Sequence, residues 1–277
     1  MRLFLSGLRK LSRRLATWVT FGLLVGLVVL IVLAVGGAVN GGVGAGNGPA
    51  ATVRIQTMKE FVTFPQAYDR MLDFVLRFGG LLALLYGAAI AGSEWGWGTL
   101  KSAVARGESR VGYMLTSFAS IAALIAVGLV LAYVIALVAA VVGANIAGVS
   151  TSGLNDSATI GQIPLALVRV WFSVLEEAAL GFTIATLARS QLAGIGVGIA
   201  FYFGESFAGL LLPDFVQYMP FAAANAAANL SVSTPTTTDA ATTAALPADQ
   251  ALVLVAVWLV GALLVASVFS DRAEIAG

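Results

Sequence analysis

The side chains best equipped for chemistry interrupt runs that are otherwise apolar. Arg169, Ser173, Glu176 and Glu177 break one such run, and Tyr202 and Glu205 break the next. On a helix, Arg169, Ser173, Glu176 and Thr183 share a face, with Glu177 at its edge. Ionisable groups inside a membrane mark substrate paths or proton relays by default, so these residues form a candidate translocation path. A relay through Glu176, Glu177 and Glu205 is one chemistry open to them. An internal Arg–Glu pair that only fixes helix packing is the other.

A second constellation occupies the polar stretch 93–110, with Glu94, Gly98, Thr99, Leu100, Lys101, Arg106 and Arg110. An acid at the end of an apolar run is costly unless paired. Glu94 is therefore expected to meet Lys101 or a basic residue of a neighbouring segment on the same side. A short helix here would carry Leu100 and Val104 on one side, with Lys101, Arg106 and Glu108 around it. A soluble partner could grip such a helix.

Much other chemistry is excluded by composition. The chain contains neither histidine nor cysteine, which removes disulfides, thiolate and imidazole metal ligands, and triads built on His or Cys. No metal site and no catalytic residue is expected, and no loop groups catalytic residues at usable spacing. None of the lysines follows a glycine, so there is no Gly-x-x-x-x-Gly-Lys phosphate loop. The glycine-rich stretch 36–48 follows an apolar run without a nearby lysine and reads as a flexible connector. Net charge is +1, and nothing in that balance suggests nucleic acid.

The elements that must position these residues are membrane spans. Of 277 residues 59% are hydrophobic and 10% charged, with a mean hydropathy of +0.95; soluble domains use about 25% charged residues. The apolar blocks match the ~20-residue helix that crosses a bilayer and exceed the ~10-residue strands of a barrel. The sequence predicts an all-α polytopic membrane protein with spans at about 17–39, 72–92, 111–142, 164–188, 191–212 and 251–270. Residues 1–16 form an amphipathic interfacial helix, and 17–277 a single transmembrane domain. In that helix Phe4, Leu8, Leu11 and Leu15 oppose Arg2, Arg9, Lys10, Arg13 and Arg14. The following apolar run is too long for a cleaved signal.

Further local expectations follow. Gly22-xxx-Gly26 and Gly194-xxx-Gly198 have the spacing of close helix approaches. Asp73 and Arg77 can pair at one end of the second span. A short outer helix is expected near Thr57–Leu72, and Pro164 suits the first turn of the fourth span. The fourth span is marginal by itself, since each central charge costs roughly 2.5–3.5 kcal/mol. The segment 213–250 contains Pro213, Pro220, Pro235 and Pro247; its front is apolar enough to dip into the interface, and Ser231 to Thr243 looks loose.

Basic residues set the orientation. With the N-terminus inside, one side collects Arg2, Arg9, Lys10, Arg13, Arg14, Lys101, Arg106, Arg110, Arg189 and Arg272, against Arg54, Lys59 and Arg70 on the other. The positive-inside rule then puts both termini in the cytoplasm.

In the stretch 93–110, Glu94, Gly98-Thr99, Leu100-Lys101, Gly107 and Ser109-Arg110 stand in order. At these residues the chain resembles the permeases of the type-2 ATP-binding-cassette (ABC) export family. The amphipathic helix resembles the family's elbow helix, and the outer segment before the last span also fits. A departure is Thr116 and Ser117, where relatives often carry a basic residue. The resemblance implies that 93–110 holds a coupling helix docking on a separate ATPase subunit. It also implies a second permease copy or homologue in a dimer, and surrounding lipids as partners. ATP and Mg would sit on the partner subunit, with no cofactor on this chain. The expected place is the plasma (inner) membrane of a prokaryote, and the expected activity is substrate export. A proton-coupled secondary transporter and a non-transporting assembly or sensor component are the alternatives.

Overall fold

The computed structural model describes residues 2–42, 49–228 and 246–272. Among them lie eleven α-helices and a 3-10 turn, with no strand. Six helices are long and apolar enough to cross a membrane: α2 (Leu15–Asn40), α4 (Gln66–Gly96), α6 (Arg110–Ala147), α7 (Ser157–Ala188), α8 (Gln191–Leu211) and α11 (Ala248–Arg272). The chain is an all-α polytopic membrane protein. Shorter helices complete it: α1 (Arg2–Ser12), α3 (Pro49–Glu60), α5 (Thr99–Ala105), α9 (Pro213–Val216) and α10 (Pro220–Ala228).

Several helices outrun their apolar runs. Hydropathy reports where a helix meets lipid, whereas hydrogen bonding continues into polar turns. The fourth span begins at Ser157, not at Pro164, because Asp156 caps it. Its carboxylate accepts from the Thr159 amide at 3.4 Å and from the Thr159 hydroxyl. Pro164 thus lies inside the helix, where it offers no amide to the Ile160 carbonyl. The Thr159 hydroxyl also holds the Asp156 carboxyl below its ordinary range.

The single outer helix expected over 57–72 is two helices. α3 stops at Glu60, and α4 starts at Gln66 after a cis Phe64–Pro65 bond. Proline disfavours helical geometry in the residue before it, so Phe64 turns. The turn is apolar inside, with Val62 and Phe64 buried, and an Arg70–Glu60 ion pair ties its two sides. Asp73 and Arg77 pair at 2.8 Å.

α4 and α7 form the centre. Methyl groups on Gly87 and Gly181 would collide with the carbonyls of Ala178 and Leu84, respectively, so the backbones touch. α8 joins them through Gly194 against Ala185 and Gly198 against Leu84. A methyl group on Gly22 or Gly26 would meet no other helix within 4 Å among the described residues; α2 instead meets α6 where Gly36 approaches Gly143. α10 packs Ala223, Ala224 and Ala227 against Ala251 and Val255 of α11, bringing the front of the 213–250 segment onto the bundle. The loose stretch expected at 231–243 lies outside the described residues, as do residues 43–48 of the glycine-rich connector.

α1, the 97–109 loop and the last turn of α11 share one end, called here the basic end. α1 lies on α6, with Leu11 buried and Ser120 Oγ donating to the Phe4 carbonyl at 3.3 Å. Arg110 Nη1 donates to the Asp271 carbonyl at 3.0 Å, joining α6 to α11.

Candidate functional site

The chemistry of the basic end converges on Glu94. Its side chain, 1% exposed, sits in the last turn of α4. Lys10 Nζ reaches Oε1 at 2.7 Å, and Arg14 Nη2 reaches the same oxygen at 3.2 Å. The Tyr113 hydroxyl donates to Oε2 at 2.5 Å, and the Thr99 hydroxyl donates to that oxygen too. Arg14 Nη1 also donates to Ser93 Oγ at 2.7 Å, and Lys10 to Tyr113 at 3.2 Å. Four donors from four segments therefore hold one carboxylate, which satisfies both of its oxygens.

The sequence explains each placement. Lys10 and Arg14 are four residues apart and come to one side as the chain passes from α1 into α2. The amphipathic pattern puts both on the polar face; the structure turns them toward the bundle, because the buried acid of α4 needs them. Gly98, at φ +65, lets the chain reverse into α5 with Thr99 next to Glu94. Ser109 caps α6 by accepting from the Gly112 amide at 3.2 Å, which places Tyr113 in the first turn.

Glu94 finds its basic partners in α1 and at Arg14, the second of the two options the sequence left open. The Lys101 side chain lies outside the described residues. In α5 the buried side is Leu100 with Ala103, while Val104 is half-buried. Ser102, Ala105 and Arg106 face outward. Arg106 has no ion-pair partner among the described residues. The loop is flanked by a second cluster, in which the Arg189 guanidinium stands over Trp95 at 5.2 Å and over Phe269 at 5.3 Å.

The candidate path residues make three kinds of contact. Arg169 reaches Asp249 of α11 at 3.4 Å. It forms no pair with Glu176 or Glu177, so the internal Arg–Glu bond considered from sequence is not made. About 10 Å of helix rise separates Arg169 from Glu176, and the exposed Asp249 is within easier reach. Ser173, Glu176 and Glu177 are buried at 0%, 0% and 3% exposure. Ser173 Oγ, both Glu176 oxygens and Glu177 Oε2 have no hydrogen-bond partner among the described residues. Glu177 lies against Gly80 of α4, where any side chain would displace it. Glu205 does something else. It accepts from the amides of Ala222 at 2.6 Å and Phe221 at 3.3 Å, capping α10. Tyr202 stacks edge-on against Phe221, with ring centres 4.9 Å apart.

Sequence reasoning missed Lys10, Arg14 and Tyr113 as partners of Glu94, and Asp249 as partner of Arg169. The available signal was an excess of cations in the first fourteen residues, Arg14 lying closest to the apolar run.

No protein-family model matches the sequence, and no curated protein matches it. What fold and site together define is a multi-pass α-helical membrane protein in which one buried carboxylate joins a surface helix, a short loop helix and two spans.

Proposed function

We propose that the chain is the membrane-spanning permease of an ABC exporter, driven by ATP hydrolysis on a separate subunit. The observation that carries this reading is the Glu94 junction. A short helix, exposed on one side at Ser102 and Arg106, is bound on the other to α1, α4 and α6 through a single buried carboxylate. A push on α5 by a partner is therefore transmitted to two spans and the surface helix at once. In this reading Glu94, Gly98, Thr99, Leu100, Lys101, Arg106 and Arg110 form the coupling element. The basic end faces the cytoplasm of a prokaryotic cell, and a second permease completes the pathway. ATP and Mg belong to the partner.

Purification of the tagged chain in mild detergent from its native cell tests this. An ATP-binding-cassette subunit should accompany it, and Glu94→Ala with Lys101→Ala should weaken the association without affecting insertion. Co-purification that never includes a nucleotide-binding subunit defeats the reading.

A second reading rests on Glu176 and Glu177. Buried carboxyl oxygens with no partner among the described residues call for a proton or a further donor. Proton-coupled transport would use them directly, and a pH gradient imposed on proteoliposomes without nucleotide would then drive uptake.

A further inference from the structure

Between α1, α5 and the first turns of α6 lies a cleft of about 260 Å³. Its walls carry Lys10, Arg106, Ser6, Ser102, Thr116 and Ser117, and the Glu94 carboxylate closes its base. Ser6, Ser102 and Thr116 give their hydroxyl protons to the carbonyls of Leu3, Gly98 and Gly112, so the cationic donors left for a ligand are Lys10 and Arg106. Lys10 gives two of its protons to Glu94 and Tyr113, leaving a third for the cleft. The Arg106 guanidinium is exposed and has no ion-pair partner among the described residues. Charge is also unbalanced: among the lining residues Lys10 balances Glu94, and Arg106 leaves a net positive charge.

Depth narrows the ligand class. Trp18 and Trp97, 63% and 70% exposed, bracket this end of the bundle. Exposed tryptophan is enriched where hydrocarbon gives way to headgroups. Leu5 and Leu15 are likewise exposed, which suits a helix lying in that layer. A cleft at headgroup depth that presents an ammonium and a guanidinium matches the oxygens of a phosphate group.

We infer that this cleft is a binding site for an anionic phosphate ester, seated between Lys10 and Arg106. A phospholipid headgroup and a soluble phosphate ester share that chemistry. The inference goes beyond the exporter reading and needs no ATPase partner. Bound there, the ligand would bridge α1 to α5 beside the Glu94 junction.

The test is native mass spectrometry of the full chain released from phosphatidylcholine nanodiscs doped with phosphatidylglycerol. The wild-type chain should retain phosphatidylglycerol in preference to phosphatidylcholine. Arg106→Gln should lower that retention about tenfold, the effect of losing a hydrogen bond to a charged group. Arg13→Gln removes the same charge from the exposed side of the α1–α2 junction and should leave retention unchanged. Competition by millimolar glycerol 3-phosphate or inorganic phosphate would assign the site to a soluble ester; retention that resists both would assign it to lipid. Equal losses in Arg13→Gln and Arg106→Gln would show diffuse attraction and overturn the proposal. So would the failure of both phosphate sources to bind. Circular dichroism of each variant establishes that a loss is not unfolding.

Discussion

Replacing Glu94 by glutamine keeps the volume and removes the charge that Lys10 and Arg14 face. The glutamine oxygen can still accept from one donor, but its amide then confronts the others as a second donor. Breaking a buried ion pair by removing one partner costs about 3–5 kcal/mol. Lys10 is 36% exposed and can turn to water, while Arg14, at 12%, recovers less. The lower bound, about 3 kcal/mol, is therefore the reasonable expectation, or roughly a hundredfold in the local opening equilibrium. The loss should appear as opening of α1 from the bundle, since α1 otherwise rests mainly on α6 through Leu11 and the Ser120 contact. Hydrogen–deuterium exchange in nanodiscs reads it directly. Peptides covering 2–12 and 99–105 should exchange roughly a hundredfold faster in Glu94→Gln, with α7 and α11 unchanged. Tyr113→Phe, losing one bond of the set, should raise exchange by about tenfold. If the 2–12 peptide exchanges as in the wild type, Glu94 does not hold α1 and does not link α5 to the bundle.

Other outcomes follow from the same geometry. Gly181→Ala places a methyl against the Leu84 carbonyl and should destabilise the bundle by about 1–3 kcal/mol, whereas Gly26→Ala, in open space, should be neutral in a detergent thermal melt. Glu205→Gln should keep most of the α10 cap because the amide oxygen still accepts; Glu205→Leu should cost about 1 kcal/mol and speed exchange over 221–228. Asp156 has a lowered pKa in the folded chain, so its cap is complete above the ordinary carboxylate range and is lost as pH falls through the depressed value. Acidification should then fray the start of α7, seen at the Thr159 amide, and Asp156→Asn should abolish that dependence. With no native cysteine, Ser102→Cys offers a clean topology probe: an impermeant maleimide should label it only after permeabilisation, and labelling of intact cells would reverse the assigned orientation.

The six spans were legible because their apolar runs are long, and lipid leaves a helix as the available form. Their ends were less so. The fourth span starts at Asp156 and Ser157 because a cap outweighs the nearby proline, and hydropathy carries no record of a cap. Pro65 broke the expected outer helix through a preference that acts on Phe64, one residue earlier. At the site, the need of Glu94 for a cation could be read from its surroundings. Which cation could not, because Lys10 and Arg14 are remote in sequence and periodicity assigned them to the polar face. The acids of the fourth and fifth spans looked alike in sequence. They differ in bonding because only Glu205 faces the start of a helix with free amides.

The length of α6 has a consequence for reach. Its 38 residues make a rod of about 57 Å, nearly twice the ~30 Å hydrocarbon core. One tip stands beside Thr99 and Glu94; near the other, Gly143 bears on α2. For a rigid rod pivoting at its foot, a swing of about 10° displaces the far tip by about 10 Å. Modest rotation on one face of the membrane thus becomes a displacement the size of a small solute on the opposite face, without any part of α6 having to bend.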